Sequence, residues 1–218
     1  MTFSLAGRCA RTGMLGAIVT TSSIAVGSRC AFAAAGVGAA LTQHTTDPRL
    51  GPLMLDQLRR GCTVEQAIAA AVGGTPRSDW RQLAVIDREG RTASHAGASV
   101  KPERAEVHGR DCVALGNIVR SATVPAAMVK AFEADPAAPL AARMIDALAA
   151  GDAAGGEFKP LMSAGLMIAH REVFPYADLR VDSDGDPIGT LRRLWREYEP
   201  VADLFVARAV HPDSVIGS

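Results

Sequence analysis

The strand signals of this chain come in runs joined by tight turns, and its helix signals come in pairs. That order constrains the fold more than any single motif. Phe3 to Cys9 reads as an extended segment, Ala10-Arg11-Thr12-Gly13 as a turn, and Met14 to Thr20 as a second extended segment. Gly36 to Gln43 (G-V-G-A-A-L-T-Q) reads as a third, fully buried strand whose small residues suit close packing under another layer. Asp47-Pro48 and Gly51-Pro52 then open a helix that runs to about Arg60 and is capped by Gly61. Thr63 with Gln66 forms a capping box for a second helix, Val64 to Val72.

The same alternation repeats further on. Gln82 to Asp87 and Thr92 to His95 flank Arg88-Glu89-Gly90-Arg91, a hairpin signature. Cys112 to Leu115 is a short strand ended by Gly116-Asn117. Helices are expected over Pro125 to Glu133 and over Leu140 to Ala150, the second with Ala141, Ile145 and Leu148 on one face. A glycine-rich loop, Gly151 to Gly156, precedes strands over Leu161 to Ala169 and Asp178 to Asp182, and an amphipathic helix runs from Pro187 to about Tyr198. Strands in antiparallel runs and helices in pairs argue for an α+β fold with helices layered on sheets, not a doubly wound βαβ fold. No boundary divides the chain, so a single domain over residues 1–218 is expected.

Composition narrows the function classes. At 218 residues and 48% hydrophobic, the chain can bury one sizeable core. Lys+Arg and Asp+Glu are both 23, so no nucleic-acid or membrane partner is expected. A near-neutral chain has little charge to keep copies apart, which is compatible with a homo-oligomer. Arginine supplies most of the positive charge, because only Lys101, Lys130 and Lys159 are lysines. Cys9, Cys30, Cys62 and Cys112 form no C-x-x-C pair and read as small buried hydrophobes in a reduced cytoplasm. Arg8 and Arg11 precede an apolar, Ser/Thr-rich stretch ending near Ala31-Phe32-Ala33, a loose imitation of a secretion leader. Thr20-Thr21-Ser22-Ser23 and Arg29 interrupt that stretch, and a hairpin turn at its front is foreign to a leader, so a cytoplasmic location is expected. No run of ~20 apolar residues exists for a membrane-spanning helix.

Neither metal nor cofactor is expected. Gly36 and Gly38 lack the third glycine of a dinucleotide fingerprint. Asp182-Ser183-Asp184-Gly185-Asp186 fails as a calcium loop, because its glycine precedes the third acid and Arg193 stands where the bidentate glutamate belongs. Asp186 as a helix N-cap with Pro187 at the first helical position accounts for it better. His44, His95, His108, His170 and His211 show no ligand spacing.

Several short segments share an order with a known family: Thr2-Phe3-Ser4, Ser23 to Ser28, Gly36-Val37-Gly38-Ala39, Thr42-Gln43, Gly116-Asn117, Gly155-Gly156-Glu157, Ser163-Ala164 and Asp178 to Asp182. Along essentially its whole length the chain resembles the bacterial family called domain of unknown function 1028. That family resembles the N-terminal nucleophile (Ntn) hydrolases, whose fold is a four-layer αββα sandwich. The first fifty residues are similar in layout to a proteasome β-subunit.

The resemblance implies a function. Removal of Met1, usual before a small residue, would leave Thr2 with a free amine. Thr2 Oγ would then be the nucleophile and its own amine, with a pKa near 8 in model peptides, the base. The substrate would be an amide or isopeptide in a small molecule or peptide. Asn117 would be a donor to the tetrahedral oxyanion. Thr2 equally suits the plain start of a strand.

Proteasome-type enzymes place an acid near the end of the second strand and a lysine soon after. Here that stretch reads Thr20-Thr21-Ser22-Ser23, with no lysine before Lys101, so those charged helpers are missing from it. Ser22, Ser23 and Arg29 are the polar groups at that edge. Arg29, costly to bury unpaired, reaches solvent or binds an anion. Gln43 either orients a substrate amide or carboxylate or serves as a buried hydrogen-bond partner. His95 is a general base or a strand-end histidine satisfied by backbone. Leu115 and Phe158 to Met162 replace polar residues usual in the family, which points to a different or less polar ligand, or to lost activity. The alternative to a hydrolase is a non-catalytic small-molecule-binding or scaffold protein on the same fold, as a homodimer. A nucleophilic internal serine such as Ser23 lacks the G-x-S-x-G elbow.

Overall fold

The computed structural model describes residues 1–214. It is a mixed α+β structure with two antiparallel sheets and, among the described residues, six α-helices. In chain order these are β1 (Thr2–Arg8), β2 (Leu15–Thr21), α1 (Gly27–Cys30), β3 (Ala31–Ala34), β4 (Gly38–His44), α2 (Leu50–Arg59), α3 (Val64–Gly73), β5 (Arg81–Asp87), β6 (Thr92–Ala96), β7 (Arg104–Gly109), β8 (Cys112–Asn117), α4 (Val124–Glu133), α5 (Leu140–Ala153), β9 (Ser163–Ala169), β10 (Ala177–Val181) and α6 (Pro187–Val210). The six-stranded sheet has the order β10-β9-β2-β1-β8-β7 and the four-stranded sheet β3-β4-β5-β6. β1 thus lies inside the larger sheet, antiparallel to β2 on one side and to β8 on the other.

Alternation along β1 decides which face meets what, since successive side chains of a strand point to opposite faces. Phe3 and Leu5 join Met128, Phe132, Met144 and Leu148 in a core beneath α4, α5 and α6. Ala6 turns the other way and packs with Ala17, Val19, Leu41, Ile86 and Leu115 between the two sheets. On the far side of the four-stranded sheet, Ala40, Leu83 and Val85 pack with Met54, Leu55 and Ile68 of α2 and α3. Burying each large side chain fully is worth about 1.5–3 kcal/mol, so these three clusters hold the layers together.

Small residues allow the close approaches. A Cβ on Gly38 would collide with the Ile86 carbonyl oxygen of the neighbouring strand, and one on Gly51 would enter the Phe32 ring. The capping box at Thr63 and Gln66 forms as expected. Asp186 caps α6, its Oδ1 accepting from Gly189 N at 3.0 Å, and Asp184 spends its carboxylate on Asp186 N and the Thr190 hydroxyl.

Four features differ from the sequence reading. β3 is a strand although its four residues, Ala-Phe-Ala-Ala, carry no alternation. β7 pairs at the edge of the larger sheet. There His108 accepts or donates to Thr92 Oγ1 (2.7 Å) and Ser94 Oγ (2.9 Å) of β6, joining the two sheets. β8 continues through Gly116 and Asn117, because β1 and β7 pair with both of its sides to the end. α6 runs on past Tyr198, through Pro200, to Val210. Bonds from Tyr198 Oη to Tyr176 O and from Tyr176 Oη to Asp203 Oδ1, each 3.0 Å, tie the helix on both sides of Pro200 to the residue before β10, offsetting the hydrogen bond that an interior proline removes. No described helix is long and apolar enough to cross a membrane.

Candidate active site at one end of the inter-sheet space

Thr2 and Ser4 share the face of β1 that looks toward the four-stranded sheet, and the register places Thr2 opposite Asn117. Behind Thr2 a chain of amides crosses from one sheet to the other. Ser4 Oγ donates to Gln43 Oε1 at 2.6 Å, and Gln43 Nε2 donates to Gln82 Oε1 at 2.7 Å. Asn117 Nδ2 donates to the same Gln82 oxygen at 3.1 Å, and Gln82 Nε2 donates to Gly116 O at 3.2 Å. All four side chains are fully buried. Such a network is favourable when complete, and here one lone pair is left over: Asn117 Oδ1 is buried with no protein partner among the described residues.

In front of the amides the hydroxyls gather. Thr2 Oγ1 donates to the Met1 carbonyl, and Thr21 Oγ1 donates to the same oxygen at 2.5 Å. Glu157 closes the group. It is 4% exposed, its Oε2 accepts from Ser22 N at 3.0 Å, and its Oε1 is buried without a partner among the described residues. Burial pushes the Glu157 carboxyl up, while the Ser22 hydrogen bond and the nearby Met1 amine pull it back. Burial pushes the Met1 amine down, opposed by Glu157 and reinforced by repulsion from Lys101 and Lys159. A lowered amine is neutral, and so basic, over more of the range near pH 7.

Strain and anchoring fix these positions. Ile118, directly after Asn117, is a β-branched residue at φ 52°, a left-handed conformation that only surrounding structure can impose. Arg120 holds the Glu157 segment, donating from Nε to Glu157 O (2.7 Å) and from Nη2 to Phe158 O (3.0 Å). Ser163 Oγ donates to Ser23 O (2.6 Å) and accepts from Val26 N (3.1 Å), pinning the loop after β2.

The sequence candidates separate in space. Thr2, Ser22 and Asn117 come together. Gln43 is the buried partner of Ser4 and Gln82, not a group at an open mouth. Arg29 folds back, donating to Ile24 O (2.8 Å), Ala25 O (2.7 Å) and Ser23 Oγ (2.8 Å), so half-buried Arg29 and exposed Ser23 brace the loop. His95 is not brought to Thr2. Its register partner Leu83 packs under α2 and α3, on the opposite side of the smaller sheet, and its Nε2 lies 3.3 Å from Ser78 O. Glu157, Thr21 and Gln82 are members of the site that sequence reasoning does not reach, and the exposed Lys101 and Lys159 act on it only through their charge. Glu157 comes from a distant segment, and a glutamate after two glycines is the available signal.

No curated protein matches this chain. Among solved structures it is similar to protein SPO2555 from Silicibacter pomeroyi, a DUF1028 protein, with 28% identity, a TM-score of 0.84, and coverage of 90% of this chain and 85% of that one. It is also similar, at 13% identity and a TM-score of 0.43, to Anbu (ancestral beta-subunit) from Yersinia bercovieri, over 94% of this chain and 96% of that one. The profile of the family of unknown function DUF1028 matches residues 2–191, and the chain belongs to that family.

Proposed function

We propose that this protein is a four-layer αββα sandwich of the N-terminal nucleophile type, and an amide hydrolase in which Thr2 attacks once Met1 has been removed. The observation that carries this reading is the convergence on Thr2 of two buried acceptors without partners among the described residues, Glu157 Oε1 and Asn117 Oδ1. Buried polar atoms are rarely left unpaired, and a catalytic role is one of the reasons they are. Loss of Met1 removes the carbonyl that holds the Thr2 and Thr21 hydroxyls. Thr2 Oγ then adds to the amide carbon, its proton passing to the Thr2 amine directly or through a water. The leaving amine takes that proton as the C–N bond breaks, and water hydrolyses the resulting ester by the same route. Asn117 already donates to Gln82, and its free atom is an acceptor. It therefore suits the Thr2 ammonium better than an oxyanion, as does Glu157.

The substrate class is an amide or isopeptide of a small molecule or peptide, with Ser22 and Thr21 beside it. The competing reading is a non-catalytic, homodimeric binding or scaffold protein on the same fold. The Met1 carbonyl, which occupies both hydroxyls, favours that reading wherever Met1 is kept. Intact-mass measurement, followed by an amide panel with the processed protein, Thr2→Ser and Thr2→Ala, separates the two. Processing, activity in Thr2→Ser and loss in Thr2→Ala are expected. Full retention of Met1, or activity surviving in Thr2→Ala, refutes the hydrolase.

A further inference from the structure

At the opposite end of β1 from Thr2, the β1–β2 turn, the β7–β8 turn and α4–α5 enclose a cavity of about 370 Å³ lined by Arg8, Arg11, Arg110 and Arg143 with Asp111 and Glu133. Asp111 is neutralised by Arg8, whereas Glu133 meets only a backbone N–H and keeps its charge. Asp111 Oδ1 pairs with Arg8 Nη1 at 2.7 Å, and Glu133 Oε1 accepts the backbone N–H of Arg110 at 2.6 Å. Among the described residues, Arg11, Arg110 and Arg143 have no carboxylate partner.

Arg143 is the unusual member. It is only 6% exposed and makes no direct ion pair, so its charge is held largely out of water with Asp111 and Asp135 acting on it only from a distance. Its Nε donates to Phe132 O at 2.9 Å and its guanidinium lies 3.9 Å from the Phe132 ring centroid. Those contacts hold the plane of the group and leave its Nη donors for another acceptor in the cavity that the residue lines. It sits in the first turn of α5, a helix whose N-terminal N–H groups carry no side-chain cap and whose dipole adds positive potential there. Arg11, by contrast, is exposed and makes one bond, from Nη2 to Ala137 O at 3.0 Å.

We infer that this cavity binds a multiply charged oxyanion of the phosphate class. Three guanidinium charges without carboxylate partners, less one for Glu133, leave two positive charges, which suit a doubly charged anion, and planar forks match phosphate oxygens in pairs. The site is independent of Thr2 and of the reading given above. Two sources share that chemistry, free phosphate and an organic phosphate, and 370 Å³ admits either.

Melting temperature and calorimetry of the full chain test it, with inorganic phosphate and with adenosine monophosphate at ionic strength held constant by sodium chloride. A saturable rise in melting temperature is expected for at least one of them, because a ligand that binds only the folded state stabilises it. Affinity should fall about tenfold or more in the surface variant R11S/R110A, which touches no core residue, and be lost in Arg143→Met if that variant folds. Tighter binding of adenosine monophosphate than of phosphate identifies an organic phosphate; equal binding identifies the free ion. The inference is overturned if neither ligand acts beyond the chloride control, or if R11S/R110A binds as the parent does.

Discussion

Replacing Gln82 by methionine tests the amide chain behind Thr2 most directly. Methionine keeps the length and volume of glutamine and adapts its shape, so packing changes little. What is lost is an acceptor for two buried donors, Gln43 Nε2 at 2.7 Å and Asn117 Nδ2 at 3.1 Å. Each orphaned donor costs about 1–3 kcal/mol, giving roughly 2–6 kcal/mol in all, a large share of the stability of an ordinary domain. Asn117→Leu acts on the same network with the opposite expectation. Gln82 Oε1 keeps the Gln43 donor, and the unpartnered Asn117 Oδ1 disappears, so the change is within about 1 kcal/mol of neutral or stabilising, while the hydrolysis proposed above is expected to be lost. Urea unfolding followed by tryptophan fluorescence and circular dichroism reads both, with an unchanged slope showing that the unfolded state is the same. A Gln82→Met cost below about 1 kcal/mol, or an Asn117→Leu cost as large as that of Gln82→Met, would refute the reasoning.

Two further outcomes follow from the same fold. Glu157 is held above the ordinary carboxylate range, chiefly by burial, so the folded state binds its proton more tightly than the unfolded state does. Its contribution is therefore fully present below about pH 4.3 and is lost as pH rises through its folded value; melting temperatures from pH 4 to 8 should show Glu157→Gln gaining on the parent as pH increases, and a constant or shrinking gap contradicts the assignment. Gly165→Ala should cost about 1–3 kcal/mol by overpacking, because its Cβ would lie 2.6 Å from Gly27 Cα and push α1 off β9, whereas Gly27→Ala, at 3.2 Å from Gly165 Cα, is milder; equal melting temperatures for the two variants count against that contact.

Much of the fold is legible because it is written locally. The β1–β2 hairpin, the β5–β6 hairpin, the Thr63–Gln66 box and the Asp186-Pro187 start of α6 each rest on a few neighbouring residues with a defined conformational preference. β3 and β7 escape because a four-residue strand carries too little pattern and an edge strand buries too little of it. The extension of α6 past Pro200 depends on Tyr176 and Asp203, contacts that no local rule anticipates. The site is legible only at Thr2, Ser22 and Asn117. Glu157 reaches Ser22 because β9 pairs with β2 and Val119 bridges to Glu157, and Gln82 reaches Asn117 because the two sheets face each other. Those are products of strand order, which a single sequence does not spell out. Gln43 and His95 are credible candidates on composition alone; Gln43 faces the space between the sheets but is buried with its amide spent on Ser4 and Gln82, and His95 lies on the opposite face of the smaller sheet.

The interior position of β1 also sets a clock. β2 follows it almost at once, but the partner on its other side, β8, ends at Asn117. During synthesis at about 5–20 residues per second, that flank of β1 waits roughly 5–20 s for its neighbour. Until then the start of β1 is an unzipped edge, open to any enzyme that trims the first residue of a nascent polypeptide. Once β8 docks and Glu157 arrives later still, Met1 is half-buried and its carbonyl is taken. The free Thr2 amine that the proposed hydrolase needs is therefore expected to form more readily before β8 docks than after.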